Sequence, residues 1–429
     1  MNMNIWASAK FSDLFREPLR NGVYKSKEFH GRGQKVINMG ELFAHDFISD
    51  QEMKRVALND RERSTSLVED GDLLFARRSL VLEGSGKCAL VECPPEETTF
   101  ESSIIRARLD KPRANPRYFY YFFRSPQGRG LIASIATRTA VSGITGSDLA
   151  QLIVPVPPLN VQCEIASILS TYDALIENNT RRIKILIEMA RRIYREWFVE
   201  FRFPGHEKVR MVESELGSIP QEWSVQRVFN FGTVVTGKTP STTHPEFFGN
   251  DVPFIKTPDM HGNFFCVEVA DHLSLIGAES QNNKTIPANS VIVNCIGALA
   301  GSVSITTKPA QTNQQINSVV LKSESSREFL YLSLLGLRET LRSIGSNGAT
   351  MINVNKNKFE NLEVKTPTPD LLGQFHDVAF PMFELIRSLQ TQDVNLRATR
   401  DLLLPKLISG EIPVEASEDS AAELAAQTA

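Results

Sequence analysis

The chain carries nearly the same text twice, and this duplication limits its architecture more than any other feature. Ile144-Thr-Gly-Ser-Asp-Leu-Ala-Gln-Leu-Ile-Val-Pro-Val-Pro runs into one long helical stretch. Val354-Asn-Lys-Asn-Lys-Phe-Glu-Asn-Leu-Glu-Val-Lys-Thr-Pro runs into another. Ile144 aligns with Val354, Leu152 with Leu362, Val154 with Val364 and Pro157 with Pro367, each pair 210 residues apart. Solenoid repeats recur every ~20–50 residues, so this period is far too long for one. It fits a domain followed by a helix. A tandem duplication of that size predicts a pseudo-twofold molecule in one chain, with two similar but non-identical heads.

At 429 residues the chain is long enough for two to four domains, each with its own core. No apolar run reaches the ~20 residues that span a bilayer, and Met1-Asn-Met-Asn-Ile-Trp6 lacks the basic flank and apolar stretch of a signal peptide. The five cysteines are odd in number and form no CxxC pair, which points to reduced thiols, a cytoplasmic location and no zinc site. The net charge of −3 conceals a division. Residues 411–429 hold five acidic residues and no basic one, and read as a solvated, disordered tail; removing those five turns −3 into +2. Between Ile104 and Arg138, by contrast, eight basic residues face only Asp110. That stretch reads either as a phosphate-contacting surface or as a solvated basic face.

The first head shows short apolar runs between turn residues: Lys35-Val-Ile-Asn38, Asp72-Leu-Leu-Phe-Ala76 and Ser103-Ile-Ile-Arg-Ala-Arg108. These predict strands of a mixed, mostly β domain. Tyr118-Phe-Tyr-Tyr-Phe-Phe-Arg124 predicts a short buried helix ending in a turn at Ser125-Pro126. The second head answers with Pro253-Phe-Ile-Lys256, Ser290-Val-Ile-Val293, Ser318-Val-Val-Leu321 and Phe329-Leu-Tyr-Leu332, at offsets of 211–218. Each head ends in a proline-marked boundary and then a heptad pattern. Ile165, Tyr172, Asn179, Leu186 and Ile193 mark the first, which runs without Gly or Pro to Phe203. Phe375, Met382, Leu389, Leu396 and Leu403 mark the second, where Pro381 suggests a helix start or a kink. The two stripes are expected to bury against each other as an antiparallel coiled coil, with Asn179 facing the region of Gln392. The predicted fold class is α+β: two pseudo-symmetric, mixed, mostly β domains separated by two long antiparallel helices. The divisions are 1–160, 161–202, 203–370, 371–410 and an acidic tail 411–429.

Motifs of common chemistry are missing. Gly84-Ser-Gly-Lys87 is not a phosphate loop, because Val81 stands where the first glycine belongs and Cys88 where Ser or Thr belongs. The chain has no GxGxxG, HExxH or GxSxG, and its seven histidines lack ligand spacing. A non-catalytic chain without a metal or cofactor of its own is expected.

A duplicated chain of this kind resembles the specificity subunit of type I restriction–modification systems. Several segments carry the likeness. Leu149-Ala-Gln-Leu-Ile-Val-Pro-Val-Pro-Pro-Leu159 with Gln162 is similar to the boundary before that family's first conserved helix, and Arg192-Ile-Tyr-Arg-Glu-Trp-Phe-Val-Glu-Phe-Arg-Phe-Pro-Gly205 to its end. Gly217-Ser-Ile-Pro-Gln-Glu-Trp223 and Gly237-Lys-Thr-Pro-Ser241 resemble the opening of the second recognition domain. Thr312-Asn-Gln-Gln-Ile-Asn317 resembles a segment within it, and Leu402-Leu-Leu-Pro-Lys-Leu-Ile-Ser-Gly-Glu-Ile412 its close. The first head departs: Gly22-Val-Tyr-Lys25 replaces Gly-Lys-Thr-Pro, and no Asn-Gln-Gln lies near Glu101-Ser-Ser103.

The resemblance implies a division of labour. The chain would hold double-stranded DNA, each head reading half of an asymmetric bipartite site. The helices would set the unread spacer and dock two modification subunits that use S-adenosylmethionine. Restriction subunits using ATP and Mg²⁺ would complete the complex, with no role for a membrane. Competing readings are a fragment of a fused restriction–modification enzyme and a coiled-coil adaptor that binds no DNA. Base reading needs polar side chains on loops held by a rigid sheet. The candidates are Arg77, Arg78, Ser79, Arg106, Arg108 and Arg138 in the first head. In the second they are Lys238, Thr239, Ser241, Thr242, His244, Lys256, Asn347 and Thr350. Arg191, Arg192, Arg195, Trp197 and Phe198 are candidates for docking a partner.

Overall fold

The computed structural model describes residues 6–137, 142–346 and 352–414. The chain divides into two compact units, Met1–Ala174 with Arg397–Ala429, and Leu175–Leu396. Each long helix contributes residues to both.

In the first unit a five-stranded sheet runs in the order Phe15–Asn21, Ile104–Leu109, Leu73–Ala76, Cys88–Val91, Phe47–Ile48. Neighbours are antiparallel except the last pair. Leu73–Ala76 and Ile104–Leu109 are buried at every position; the first therefore reads as an unbroken apolar run, while the second carries two arginines inward. A three-stranded sheet places His30–Ile37 between Lys54–Val56 and Thr98–Phe100, and Ala7–Lys10 pairs with Ile153–Val156. The helix Pro116–Arg124 starts where its sequence says it should. The Asn115 side chain accepts hydrogen bonds from the backbone N–H groups of Arg117 and Tyr118, and Pro116 occupies the first turn. Its six consecutive aromatics, Tyr118 to Phe123, are all buried. Ser125 is more than a turn. It closes this helix and caps a second, Pro126–Ile135, by accepting from the Gly128 N–H.

The second unit repeats the plan. Its five-stranded sheet runs Gly232–Thr236, Ile316–Leu321, Val291–Asn294, Val303–Thr306, Phe265–Cys266, again antiparallel except the last pair. Phe248–Ile255 lies between His272–Leu273 and Gln311–Thr312, and Ser224–Arg227 pairs with Glu363–Thr366. Strand order, strand direction and the closing pair all match the first unit. The fold is therefore α+β, with two duplicated domains of mixed sheets. The hairpin Met211–Ser214 with Gly217–Pro220 has no counterpart among the described residues of the first unit.

The long helices are Leu159–Tyr194, 36 residues, and Pro369–Ser409, 41 residues. At ~1.5 Å per residue they measure ~54 and ~62 Å. Within each unit they run antiparallel. In the first, Ile165 and Leu169 share a core with Leu404, Leu407 and Ile408, and Asp173 pairs with Arg400. In the second, Asn179 Nδ2 donates to Asp393 Oδ1 at 2.9 Å, while the Tyr194 and Phe198 rings meet Phe375 at 6.3 and 4.8 Å. The buried partner of Asn179 is thus Asp393, and Gln392 is exposed.

Two helix boundaries differ from expectation. The second helix runs straight through Pro381 from Pro369. Proline removes one hydrogen bond, to the carbonyl of Asp377, and Asp377, Val378 and Pro381 are all exposed, so water can serve that carbonyl. The first helix stops at Tyr194 and widens into a π-turn over Arg195–Val199, which tucks Phe198 between Trp223, Phe329 and Phe375. The chain closes on itself in both units. The Trp6 indole Nε1 donates to the Ile408 carbonyl at 3.0 Å, and Trp223 packs on Phe198 at 5.8 Å. No described helix is long and apolar enough to cross a membrane.

Candidate nucleic-acid interface

One end of each five-stranded sheet gathers loops from several strands. In the second unit the strand Gly232–Thr236 leads into Gly237. Its N–H donates to the Ile316 carbonyl and the Lys238 N–H to that of Thr312. A Cβ at Gly237 would lie 2.2 Å from the Asn313 carbonyl oxygen and 2.3 Å from that of Thr312, so no larger residue fits without a shift. The Thr312–Asn317 segment is the floor beneath this loop. Asn317 accepts from Thr236 Oγ1 at 2.6 Å, and Gln281 Nε2 donates to the Lys238 carbonyl at 2.8 Å. Thr257 Oγ1 donates to Gln315 at 3.0 Å. Only Gln314 of the segment is exposed, and it accepts from Thr239 Oγ1 at 2.6 Å.

The first head builds the same corner from different letters. The Gly22 N–H donates to the Ile104 carbonyl and the Val23 N–H to that of Phe100. A Cβ at Gly22 would lie 2.0 Å from the Phe100 oxygen. Gly22 and Gly237 are therefore the same residue of the plan, and the exposed Tyr24 stands where Thr239 stands in the second head. The same end collects more of the loop. Ser102 N–H donates to the Val23 carbonyl, Arg77 N–H to Ser103, and Ile144 N–H to Arg77. Beside it, Arg20, Arg77, Thr145 and Ser147 line a concavity of about 740 Å³.

Most sequence candidates lie on this end, but not all. Arg78 is exposed, Arg77 and Ser79 are half-buried, and neither guanidinium has a side-chain partner among the described residues. Lys238, Ser241 and Thr242 are exposed and Thr239 is half-buried. His244 stacks on Phe247 at 4.9 Å and pairs with Glu246. Lys256 pairs with Asp271 at 2.8 Å. Arg138, Asn347 and Thr350 lie outside the described residues.

Arg106 and Arg108 are corrections: they are 2% and 8% exposed. Arg108 donates two 2.7 Å hydrogen bonds to Asp72 and others to Glu17 and Glu69, while Arg106 donates to Glu17 and the Leu67 carbonyl. The rest of the basic stretch is largely spent too. Lys111 pairs with Asp70, Arg117 with Glu92 and Arg124 with Asp46, and Arg129 donates to the Glu83 and Ser85 carbonyls. Among the docking candidates Arg191, Arg192 and Arg195 are exposed, but Phe198 is core and Trp197 is half-buried against it. A Phe198 side chain that packs on Phe329 and Phe375 is not free for a partner.

Arg20, Tyr24 and Gln314 escaped sequence reasoning. The available signal was the glycine that follows the first strand of each five-stranded sheet.

The chain thus repeats one plan, a five-stranded sheet with a glycine-pinned loop at one end. The model of the type I restriction modification DNA specificity domain matches residues 5–189 and 220–374. The chain belongs to this family. Among its relatives, the HindI specificity subunit of Haemophilus influenzae is 28% identical over 474 residues, covering 96% of this chain and 100% of the relative. The MjaIX specificity subunit of Methanocaldococcus jannaschii is 25% identical, covering 91% and 89%. The crystal structure of the type I S subunit from M. genitalium superposes with a TM-score of 0.61 at 15% identity, covering 95% of this chain and 97% of that one, so the two share the fold. The close approach at Gly22 and Gly237 predicts a steric test. Gly237→Ala should cost ~1–3 kcal/mol by overpacking and abolish modification directed by the second head. Gly22→Ala should do the same to the first. Melting curves and methylation mapping check this, and wild-type behaviour of both variants would refute the equivalence.

Proposed function

We propose that this chain is the DNA sequence-specificity subunit of a type I restriction–modification complex, and that each pinned loop cluster reads one half of a bipartite site. One observation carries the reading: the two heads share strand order and the pinned glycine, yet present different exposed or half-buried residues at the same end. Arg77, Arg78 and Tyr24 stand on one, and Lys238, Thr239 and Gln314 on the other. A shared scaffold with divergent loops is what two readers of different sequences require. The divisions 1–160, 161–202, 203–370 and 371–410 serve as head, spacer, head and spacer. The helices set the distance between half-sites, and exposed Arg191, Arg192 and Arg195 help to dock modification subunits. Two such subunits carry S-adenosylmethionine and the methyl transfer, and restriction subunits carry ATP, Mg²⁺ and cleavage. The chain itself supplies recognition and no catalytic group.

The test is exchange of one head. Residues 1–150 replaced by the corresponding head of a relative with another specificity should change one half of the methylated motif and leave the other intact. Methylation mapping of a host genome reads this directly. Alteration of both halves, or of neither, refutes the reading.

A further inference from the structure

We propose that the first head carries an apolar wedge: Leu80, with Val81 beside it, inserts between adjacent base pairs of its half-site while Arg77 and Arg78 hold flanking phosphates. This rests on the reading that the loop end of the head faces duplex DNA. Leu80 is 87% exposed and Val81 59%. Single exposed apolar residues are ordinary, but two in succession at the tip of a braced loop beside two arginines are not. The bracing is extensive. Arg78 and Ser79 pair with Gly143 and Ser142. Ser79 Oγ accepts from the Val81 N–H at 3.2 Å, and the Val81 carbonyl accepts from the Gly84 N–H at 3.2 Å. Arg129 donates to the carbonyls of Glu83 at 2.7 Å and Ser85 at 3.2 Å. At Gly84 a Cβ would lie 2.2 Å from Ser79 Oγ, so the base of the loop is closed tightly.

A held tip that keeps a leucine in water loses the benefit of burying it, and the driest site a duplex offers such a side chain lies between unstacked bases. Cations beside it supply the attraction to phosphate that draws the tip in. At the corresponding place the second head has no such tip; its exposed apolar pair, Leu275 and Ile276, opens a short helix elsewhere. Ala76 and Asn294 hold the same place opposite Ile104 and Ile316. Three to five residues on, the second head therefore has Gly297, Ala298 and Leu299 where the first has Ser79, Leu80 and Val81. Insertion from this loop belongs to the first half-site, which should contain a pyrimidine–purine step, because such a step unstacks most readily.

The experiment uses the assembled complex and a duplex bearing its mapped site, with 2-aminopurine placed in turn at each first-half position except the methylated adenine. Binding should raise fluorescence at one step. Leu80→Ala should abolish the rise and weaken specific binding about tenfold, and Leu80→Met should preserve both. Arg78→Ala should lower affinity and salt dependence but keep the rise. A rise that survives Leu80→Ala, or no rise under tight specific binding, overturns the wedge and leaves DNA recognition standing. So does loss of the Leu80 effect when uracil replaces thymine, because Leu80 would then be touching a methyl group. A complex that does not distinguish the mapped site from other DNA overturns both readings.

Discussion

Replacing Arg108 with methionine should destabilise the first unit by about 3–5 kcal/mol, the cost of breaking a buried ion network from one side. Its guanidinium is shared by Asp72, Glu17 and Glu69, and the Asp72 side chain it holds is itself 1% exposed. Methionine fills part of the volume but leaves Asp72 without its cation in a buried site, while the half-exposed Glu17 and Glu69 keep Arg106 and Arg16. For a unit of this size the melting point should fall on the order of 10 °C. Arg113→Ala, on an exposed side chain of the same stretch, should stay within ~0.5 kcal/mol. Thermal melts of the two variants decide between a structural and a phosphate-binding role. Unchanged melting for Arg108→Met, with weaker binding to all DNA, would restore the electrostatic reading of the stretch. Acid should loosen the same network. Burial works against the charge on Glu17, but Arg108 outweighs it and holds that carboxyl below its ordinary range. Its contribution is therefore complete above the ordinary glutamate pKa and is lost as the pH falls through the lower, folded value.

A second large effect should follow from lengthening both helices. Asn179 faces Asp393 and the helices run antiparallel, so Leu186, seven residues after Asn179, and Ile386, seven residues before Asp393, lie at one level. A heptad inserted after each keeps the apolar seam in phase and adds about 10.5 Å at ~1.5 Å per residue. With one base pair per ~3.4 Å, the unread spacer should grow by about three base pairs while both half-site sequences stay fixed. Three base pairs also turn one half-site by roughly 100° about the duplex, so modification should slow. Methylation mapping measures the spacer. An active insertion variant with its original spacer would show that the helices are not the ruler.

The sequence made the sheets legible because their central strands are buried on both faces. Leu73–Ala76 and the first three residues of Val291–Asn294 are apolar because they are buried, and Asn115-Pro116 announces a helix in the plainest terms. Charge was less legible. The eight basic residues from Arg106 to Arg138 look unopposed because a window along the chain cannot see Glu17, Asp46 or Asp72. Those lie 36 to 91 residues from the arginines they neutralise. Proline at 381 misled for a related reason: a helix tolerates it where the orphaned carbonyl faces water, and exposure belongs to the fold. The alignment of Gly22 with Gly237 was legible, but its reason was not, because that reason is the steric closeness of facing carbonyls across the sheet. Only the glycine must persist, and the letters after it are free to differ between heads.

The pairing of Trp6 with Ile408, and of Trp223 with Phe198, bears on how such a chain can be written. Each helix ends against the opening of a head: the first against the head that follows it, the second against the head that precedes it by almost the whole chain. Each unit is thus closed by the same kind of seam, one of which the polypeptide crosses and the other of which holds its first described residue. A gene that opened at the other seam, with a short join between the residues near 414 and Trp6, would encode the same object with its halves in reverse order. Which head is translated first carries no structural information, and recombination at either seam can shuffle readers without disturbing what holds them.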